Sequence, residues 1–165
     1  MARMTRVEDF PEVRENWAEA EFRGGAKCAI KVKSGHELVA DEPPGFAGGA
    51  GGSNEGPTPS GFLVSAFAAD IPVMLQRIAN ELGITILSMR SRVSIEFSPR
   101  GIAGFSGYEP APFRAVSDIF VVADAPAHLI EEMKTQYLKR CPLYNLFRKS
   151  GCAMVENWHI EHTAR

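Results

Sequence analysis

Two side chains sit where their surroundings call for chemistry. Asp70 is the one charged residue in the apolar run FLVSAFAADIPVML at 62–75, which only Ser65 and Pro72 otherwise interrupt. A carboxylate carried into an apolar helix is costly unless it is paired or protonated. Asp70 is therefore either a structural carboxylate bonded to an arginine such as Arg23, Arg90 or Arg92, or a general acid/base candidate with a raised pKa. Pro72 has no N–H to give the Ala68 carbonyl, which predicts a kink beside Asp70. Cys141 follows Lys139 and Arg140 and precedes Pro142, at the expected start of a short helix. Helix N-terminal amides and neighbouring cations stabilise a thiolate, so this context predicts a lowered thiol pKa. The plainer alternative is a small buried hydrophobe. Cys28 and Cys152 fall on apolar strand faces and are expected in the core.

Other chemistries find little support. His159 and His162 are three apart on an expected strand, hence on opposite faces. His36 and His128 are scattered, so no metal-ligand spacing is present. The glycine loop GGAGGSNEGPTP lacks the Gly-Lys-Ser/Thr ending of a phosphate loop and does not follow a strand. Ser65 has no Gly-x-Ser-x-Gly elbow, which removes a serine hydrolase.

The elements that would position Asp70 and Cys141 follow from periodicity. A hairpin is expected from 17–22 and the alternating Cys28, Ile30 and Val32, joined by Arg23-Gly24-Gly25, with a third strand at 37–40. Residues 43–61 hold 11 of the chain's 26 glycines and prolines and form one long loop. A long helix at 61–82 follows. Its first half is apolar on every side, so it must be surrounded, and the small Ser65, Ala66, Ala68 and Ala69 would admit another backbone closely. A second copy of the chain is the expected cover. After Gly83, Leu87, Met89, Val93, Ile95 and Phe97 share one face of a long strand. Residues 113–123 read as a second strand, apolar on both faces. Asp124 and Pro126 open a helix striped by Leu129, Ile130, Met133 and Tyr137. Cys141-Pro142 opens another with Leu143, Leu146 and Phe147. Cys152, Met154, Trp158 and Ile160 mark the closing strand. This order is α+β, expected as an arm at 1–15 and a single domain at 16–165.

The 165 residues are 45% hydrophobic and 23% charged, an ordinary globular balance. A net charge of −2 offers no electrostatic reason to bind nucleic acid or an anionic membrane. The apolar run falls short of the about 20 residues of a bilayer span. Three cysteines without a Cys-x-x-Cys, and no secretory leader, suggest reduced thiols in the cytoplasm.

The landmarks Asp41-Glu42-Pro43-Pro44, the paired glycines and Gly56-Pro57-Thr58-Pro59, the long apolar helix and then Arg140-Cys141-Pro142-Leu143 resemble the OsmC/Ohr family of organic hydroperoxide reductases, over roughly 17–160. The resemblance implies an intertwined α+β homodimer, with antiparallel sheets packed on a long central helix and a site at the subunit interface. In the peroxidase branch a helix cysteine following an Ala-Ala or Ala-Ser pair attacks the O–O bond. The cysteine of the Cys-Pro then resolves the sulfenic acid to a disulfide. Cys141 matches the second cysteine, whereas Asp70 occupies the place of the first. The branch also carries a glutamate after the helix's N-terminal proline, but Ser60 and Gly61 follow Pro59 here. Arg23 or Lys27 would match its hairpin arginine.

The resemblance thus gives Cys141 and Asp70 as catalytic candidates and Arg23, Ser60 and Phe67 as substrate-binding candidates, with no cofactor and no metal. Three functions follow. The first is a pocket that binds or acts on another small molecule. The second is a one-cysteine peroxidase attacking through Cys141, and the third a non-catalytic binding protein.

Overall fold

The computed structural model describes residues 7–46 and 48–162. Of the expected arm, 1–6 lie outside the described residues, and Val7–Asp9 form a short 3-10 turn. The chain divides into two compact units, with the boundary between Leu63 and Val64.

In the first unit β1 (Ala18–Phe22), β2 (Cys28–Val32) and β3 (Glu37–Ala40) make the expected antiparallel meander. The register aligns Phe22 with Cys28 and Ala40, and Ala20 with Ile30 and Leu38. Strand alternation therefore puts most of the apolar side chains on one face, and Glu19, Glu21, Lys31 and Glu37, with Ala29 and Val39, on the other. Phe22 stays 69% exposed, and Cys28 is half-buried rather than in the core.

The glycine loop is organised by a carboxylate. Fully buried Asp41 accepts the N–H of Glu42 (2.8 Å), of Ser53 (3.0 Å) and of Glu55 (3.0 Å), and the Ser53 hydroxyl at 3.0 Å. Gly52 and Gly56 have to be glycine, because an added Cβ would lie 1.9 Å from the Glu42 carbonyl and 2.0 Å from that of Val39. The backbone N–H of Glu55, followed by those of Glu42 and Ser53, lowers the Asp41 pKa to about 2. A depressed carboxylate stabilises the fold above its unfolded value, 3.8, and that contribution disappears as pH falls toward about 2. Protection of the Ser53 and Glu55 amides, relative to their intrinsic exchange rates, should accordingly fall across that window and hold steady above it.

The second unit carries α1 (Pro59–Leu82) beyond its first turn, then β4 (Thr85–Glu96), α2 (Pro99–Ile102), β5 (Arg114–Asp124), α3 (Ala127–Arg140), α4 (Pro142–Lys149) and β6 (Ala153–His162). The sheet order is β4-β5-β6. Its core joins Phe67, Ile71, Leu75 and Ile78 of α1 to Ile119 and Val121 of β5 and Ile130, Met133 and Tyr137 of α3, all fully buried.

Several expectations need correction. The sheets are not both antiparallel, since β6 runs parallel to β5. The pair α3 and α4 supplies the long crossover that a parallel neighbour requires. Leu87 does not share the buried face of β4 and is 56% exposed. A register shift between Ile86 and Ser88 leaves Leu87 as the extra residue and puts Ile86 in phase with Met89, Val93 and Ile95. On α4 it is Tyr144 that is buried with Phe147, while Leu146 faces outward. By length and composition α1 would suit a membrane span, yet its Phe67–Ala79 side packs inside the protein. Its opposite side, with Ser65, Ala66, Ala69 and Val73, is exposed in the single chain.

The carbonyl that Pro72 orphans is satisfied from another element. The Ser91 hydroxyl of β4 donates to the Ala68 oxygen at 2.6 Å, one turn ahead of the proline. Ser91→Ala should leave that half-buried acceptor unpaired and cost about 1–3 kcal/mol in urea denaturation.

Candidate functional site

Cys141 is the joint between two helices. It ends α3, its N–H donating to the Tyr137 carbonyl at 2.9 Å, and it caps α4, its Sγ accepting the Tyr144 N–H at 3.2 Å. Pro142 occupies the first turn of α4, where a missing N–H costs nothing. The Asn145 side chain locks the joint by donating to the carbonyls of Leu138 (3.0 Å) and Cys141 (2.9 Å). Arg140 grips the end of α1, its guanidinium meeting both Glu81 carboxylate oxygens at 2.5 and 2.7 Å. The neighbouring Cys141 side chain is wholly buried, and its thiol donates to Asp70 Oδ2 at 3.0 Å.

The structure thus joins the two residues singled out first. The partner of Asp70 is a thiol instead of Arg23, Arg90 or Arg92, and among the described residues no cation forms an ion pair with it. Arg90 lies over the Phe120 ring at 3.9 Å, and Arg23 pairs with Glu21 at 2.7 Å. Asp70 is half-buried, so part of it is open in the single chain.

The lowered thiol pKa expected for Cys141 is corrected as well. Burial, followed by the hydrogen bond to the Asp70 carboxylate, pushes it up to about 11. The Tyr144 N–H acts in the opposite direction but is outweighed. Arg140 is engaged by Glu81, which opposes its field at the sulfur. At pH 7 Cys141 is then held as the thiol.

Three further residues complete the cluster. Burial, and then the nearby Cys141, raises the Tyr137 pKa. Its buried hydroxyl lies against that sulfur, and a weak hydrogen bond between the two contributes to the shift. Glu156 of β6 aligns with the buried Ser117 of β5, and burial raises its pKa too. A hydrogen bond with the Tyr144 hydroxyl acts in the opposite direction but is outweighed. Burial and the adjacent Glu156 raise the pKa of Tyr144. Ring packing walls the cluster: Phe67 stacks on Phe147 at 5.2 Å, and Trp158 meets Tyr137 edge-on at 5.7 Å.

Phe67 therefore serves as a packed wall. The remaining candidates belong to the first unit and have partners there. Ser60 Oγ lies 3.1 Å from the hydroxyl of Thr58, which caps α1 by accepting the Gly61 N–H at 3.0 Å. Lys27 pairs with Glu55. Sequence reasoning placed Tyr137 only in a packing stripe and passed over Tyr144 and Glu156. Glu156 did leave a signal, because it falls in the period-two series Cys152, Met154, Trp158, Ile160.

The sequence model of the family described as OsmC-like protein matches residues 52–155. No curated protein sequence matches the chain. Among solved structures, an OsmC-like protein from Mycoplasma pneumoniae superposes with a TM-score of 0.74 at 17% identity, covering 90% of this chain and 99% of its own. An OsmC-like protein of unknown function from Vibrio cholerae gives 0.69 at 13% identity, covering 88% and 99%. The organic hydroperoxide resistance protein OhrB of Bacillus subtilis gives 0.56 at 16% identity, covering 90% and 98%. At these identities the likeness is one of fold. The family match spans well over half of the chain, and the protein belongs to the OsmC-like family.

Proposed function

We propose that this protein is an OsmC-like small-molecule binding protein or enzyme that has left two-cysteine peroxidase chemistry, with Asp70 and Cys141 at the centre of its site. The observation that carries this reading is the 3.0 Å hydrogen bond from the Cys141 thiol to Asp70. Peroxide reduction starts with a thiolate attacking an O–O bond. A carboxylate cannot take that step, and a thiol raised to about 11 beside a carboxylate is a poor substitute. The same geometry weighs against a one-cysteine peroxidase acting through Cys141. Glu156, whose carboxyl burial raises toward neutrality, instead suits proton exchange with a bound molecule, with the thiol and the two tyrosines as hydrogen-bonding neighbours.

The site is proposed to work in a homodimer. The exposed Ser65, Ala66, Ala69 and Val73 side of α1, with Val73 57% exposed, and the bare apolar face of the first sheet both suit cover by a second copy. The free thiols of Cys28, Cys141 and Cys152 suit the reducing cytoplasm.

The test is reduction of cumene hydroperoxide with a dithiol reductant, beside Cys141→Ser. Turnover at background in both proteins is the expected result. Thiol-dependent turnover that Cys141→Ser abolishes would install the one-cysteine peroxidase instead. Sedimentation at micromolar concentration should give a dimer, and a monomer would remove the second copy from the proposal.

A further inference from the structure

We propose that the outer face of the second sheet is a receptor for a small aromatic carboxylate, anchored by Arg90. The inference is independent of the Asp70–Cys141 reading, because it concerns the other side of the sheet. Ser91 of β4 reaches the Ala68 carbonyl of α1, and Trp158 of β6 meets Tyr137 of α3, so these positions face the core helices. Alternation sends their neighbours the opposite way. Ser88, Arg90, Phe120, Val122, His159 and Glu161 come together there along a groove of about 710 Å³.

The pairing register sets Arg90, Phe120 and His159 side by side across β4, β5 and β6. The Arg90 guanidinium lies 3.9 Å from the centre of the Phe120 ring, and the His159 ring stacks on Phe120 at 4.4 Å with 10° between the planes. A guanidinium laid on a ring is ordered before any ligand arrives, which lowers the entropic cost of using its N–H fork. That fork is not engaged within the protein. The arginines with an ionic or hydrogen-bonded partner among the described residues are Arg23, Arg100, Arg114, Arg140 and Arg148. A free, planar and pre-ordered fork matches the two oxygens of a carboxylate.

The neighbouring charges limit what a ligand can carry. Arg92 shares the face of β4 but stands opposite Asp118, whose carboxylate accepts the Asn157 amide at 2.9 Å. Glu161 lines the groove on the β6 side and has no cationic partner among the described residues. Cations and carboxylates on this face thus nearly balance, which suits a single negative charge at Arg90 better than a doubly charged phosphate ester. Beside the fork, Val122 and the Phe120 ring are half-buried and His159 is exposed. They leave apolar and aromatic surface on which a flat ring can pack.

The experiment titrates the full chain at low salt with benzoate, phenyl phosphate, benzyl alcohol and cyclohexanecarboxylate. NMR follows the Arg90 side-chain N–H and the Val122 and His159 amides, with the Cys141 amide as the reporter of the other side. Benzoate should shift the first three and leave Cys141 still, binding at least about tenfold more tightly than benzyl alcohol. Phenyl phosphate and cyclohexanecarboxylate should bind more weakly than benzoate, and added salt should weaken benzoate too. Arg90→Gln should cost about tenfold in benzoate affinity and Arg90→Lys should restore only part of it, with each variant's fold verified by its spectrum. If benzyl alcohol binds as tightly as benzoate, or Arg90→Gln binds unchanged, the anchor is overturned. If phenyl phosphate or cyclohexanecarboxylate binds more tightly than benzoate, the ligand class is overturned. If no probe shifts the three outer signals, or only Cys141 responds, the groove is not a receptor and the proposal falls, while the Asp70–Cys141 reading stands on its own test.

Discussion

Asp70→Cys is expected to let the chain oxidise to an internal disulfide between positions 70 and 141, a reaction the parent protein cannot perform. The Asp70 side chain already reaches the Cys141 sulfur at 3.0 Å, so the two side chains converge across α1 and the α3–α4 joint. A thiol at position 70 would break the hydroperoxide O–O bond, becoming a sulfenic acid and releasing an alcohol. The Cys141 thiol would then displace water from that sulfenic acid and close the disulfide, which a dithiol reductant reopens. Removing the carboxylate also takes away one cause of the raised Cys141 pKa, leaving burial as the main one. With no glutamate after Pro59 to assist, turnover should exceed the parent's and remain modest. Intact-mass analysis after one equivalent of cumene hydroperoxide should show the loss of two hydrogens in nearly all molecules. Asp70→Asn treated alongside should show none. A variant that remains a free dithiol would mean that the two positions do not meet as described.

The largest stability loss is expected from Phe67→Ala, about 3–5 kcal/mol in urea denaturation. Phe67 is wholly buried, and its ring lies nearly parallel to that of Phe147, 17° off plane at 5.2 Å. Truncation would open a void between α1, which holds Asp70, and α4, which Cys141 caps, so the site would loosen along with the core. Phe67→Leu, which refills most of the volume, should cost clearly less. Equal losses for both would mean that the stacked pair contributes little.

How much of this could be read from residues differs by element. The α1 helix and the first meander announce themselves by apolar runs, alternation and turn residues, and the structure places them within two residues of expectation. Strand β4 was legible except at Leu87, because a bulge shifts the phase of a strand without leaving a residue type that marks it. The parallel pairing of β6 was hidden, since alternation within a strand carries no direction. Pro72 told in advance that the Ala68 carbonyl would want a donor, but only the fold could supply Ser91, 23 positions away.

At the site, Asp70 and Cys141 stood out because each residue type conflicts with its neighbours in sequence. Their hydrogen bond did not, as it joins positions 71 apart. The direction of the Cys141 shift was misread for the same reason. Lys139, Arg140 and the start of α4 are local and argue for a thiolate, whereas burial, Asp70 and the Glu81 clamp on Arg140 are tertiary and prevail. Glu156 was visible as a charged member of an apolar period-two series, and what it faces was not.

The central claim is that Cys141 is held as a thiol by its burial and by Asp70. It is tested most directly by the pH dependence of iodoacetamide alkylation at Cys141, followed by mass spectrometry of its peptide so that Cys28 and Cys152 are scored separately. The account predicts a titration near about 11 in the folded protein, displaced downward in Asp70→Asn. A Cys141 that alkylates rapidly at pH 7 with a midpoint below its ordinary value of 9.0, unchanged by Asp70→Asn, would contradict it and return the thiolate nucleophile to the site.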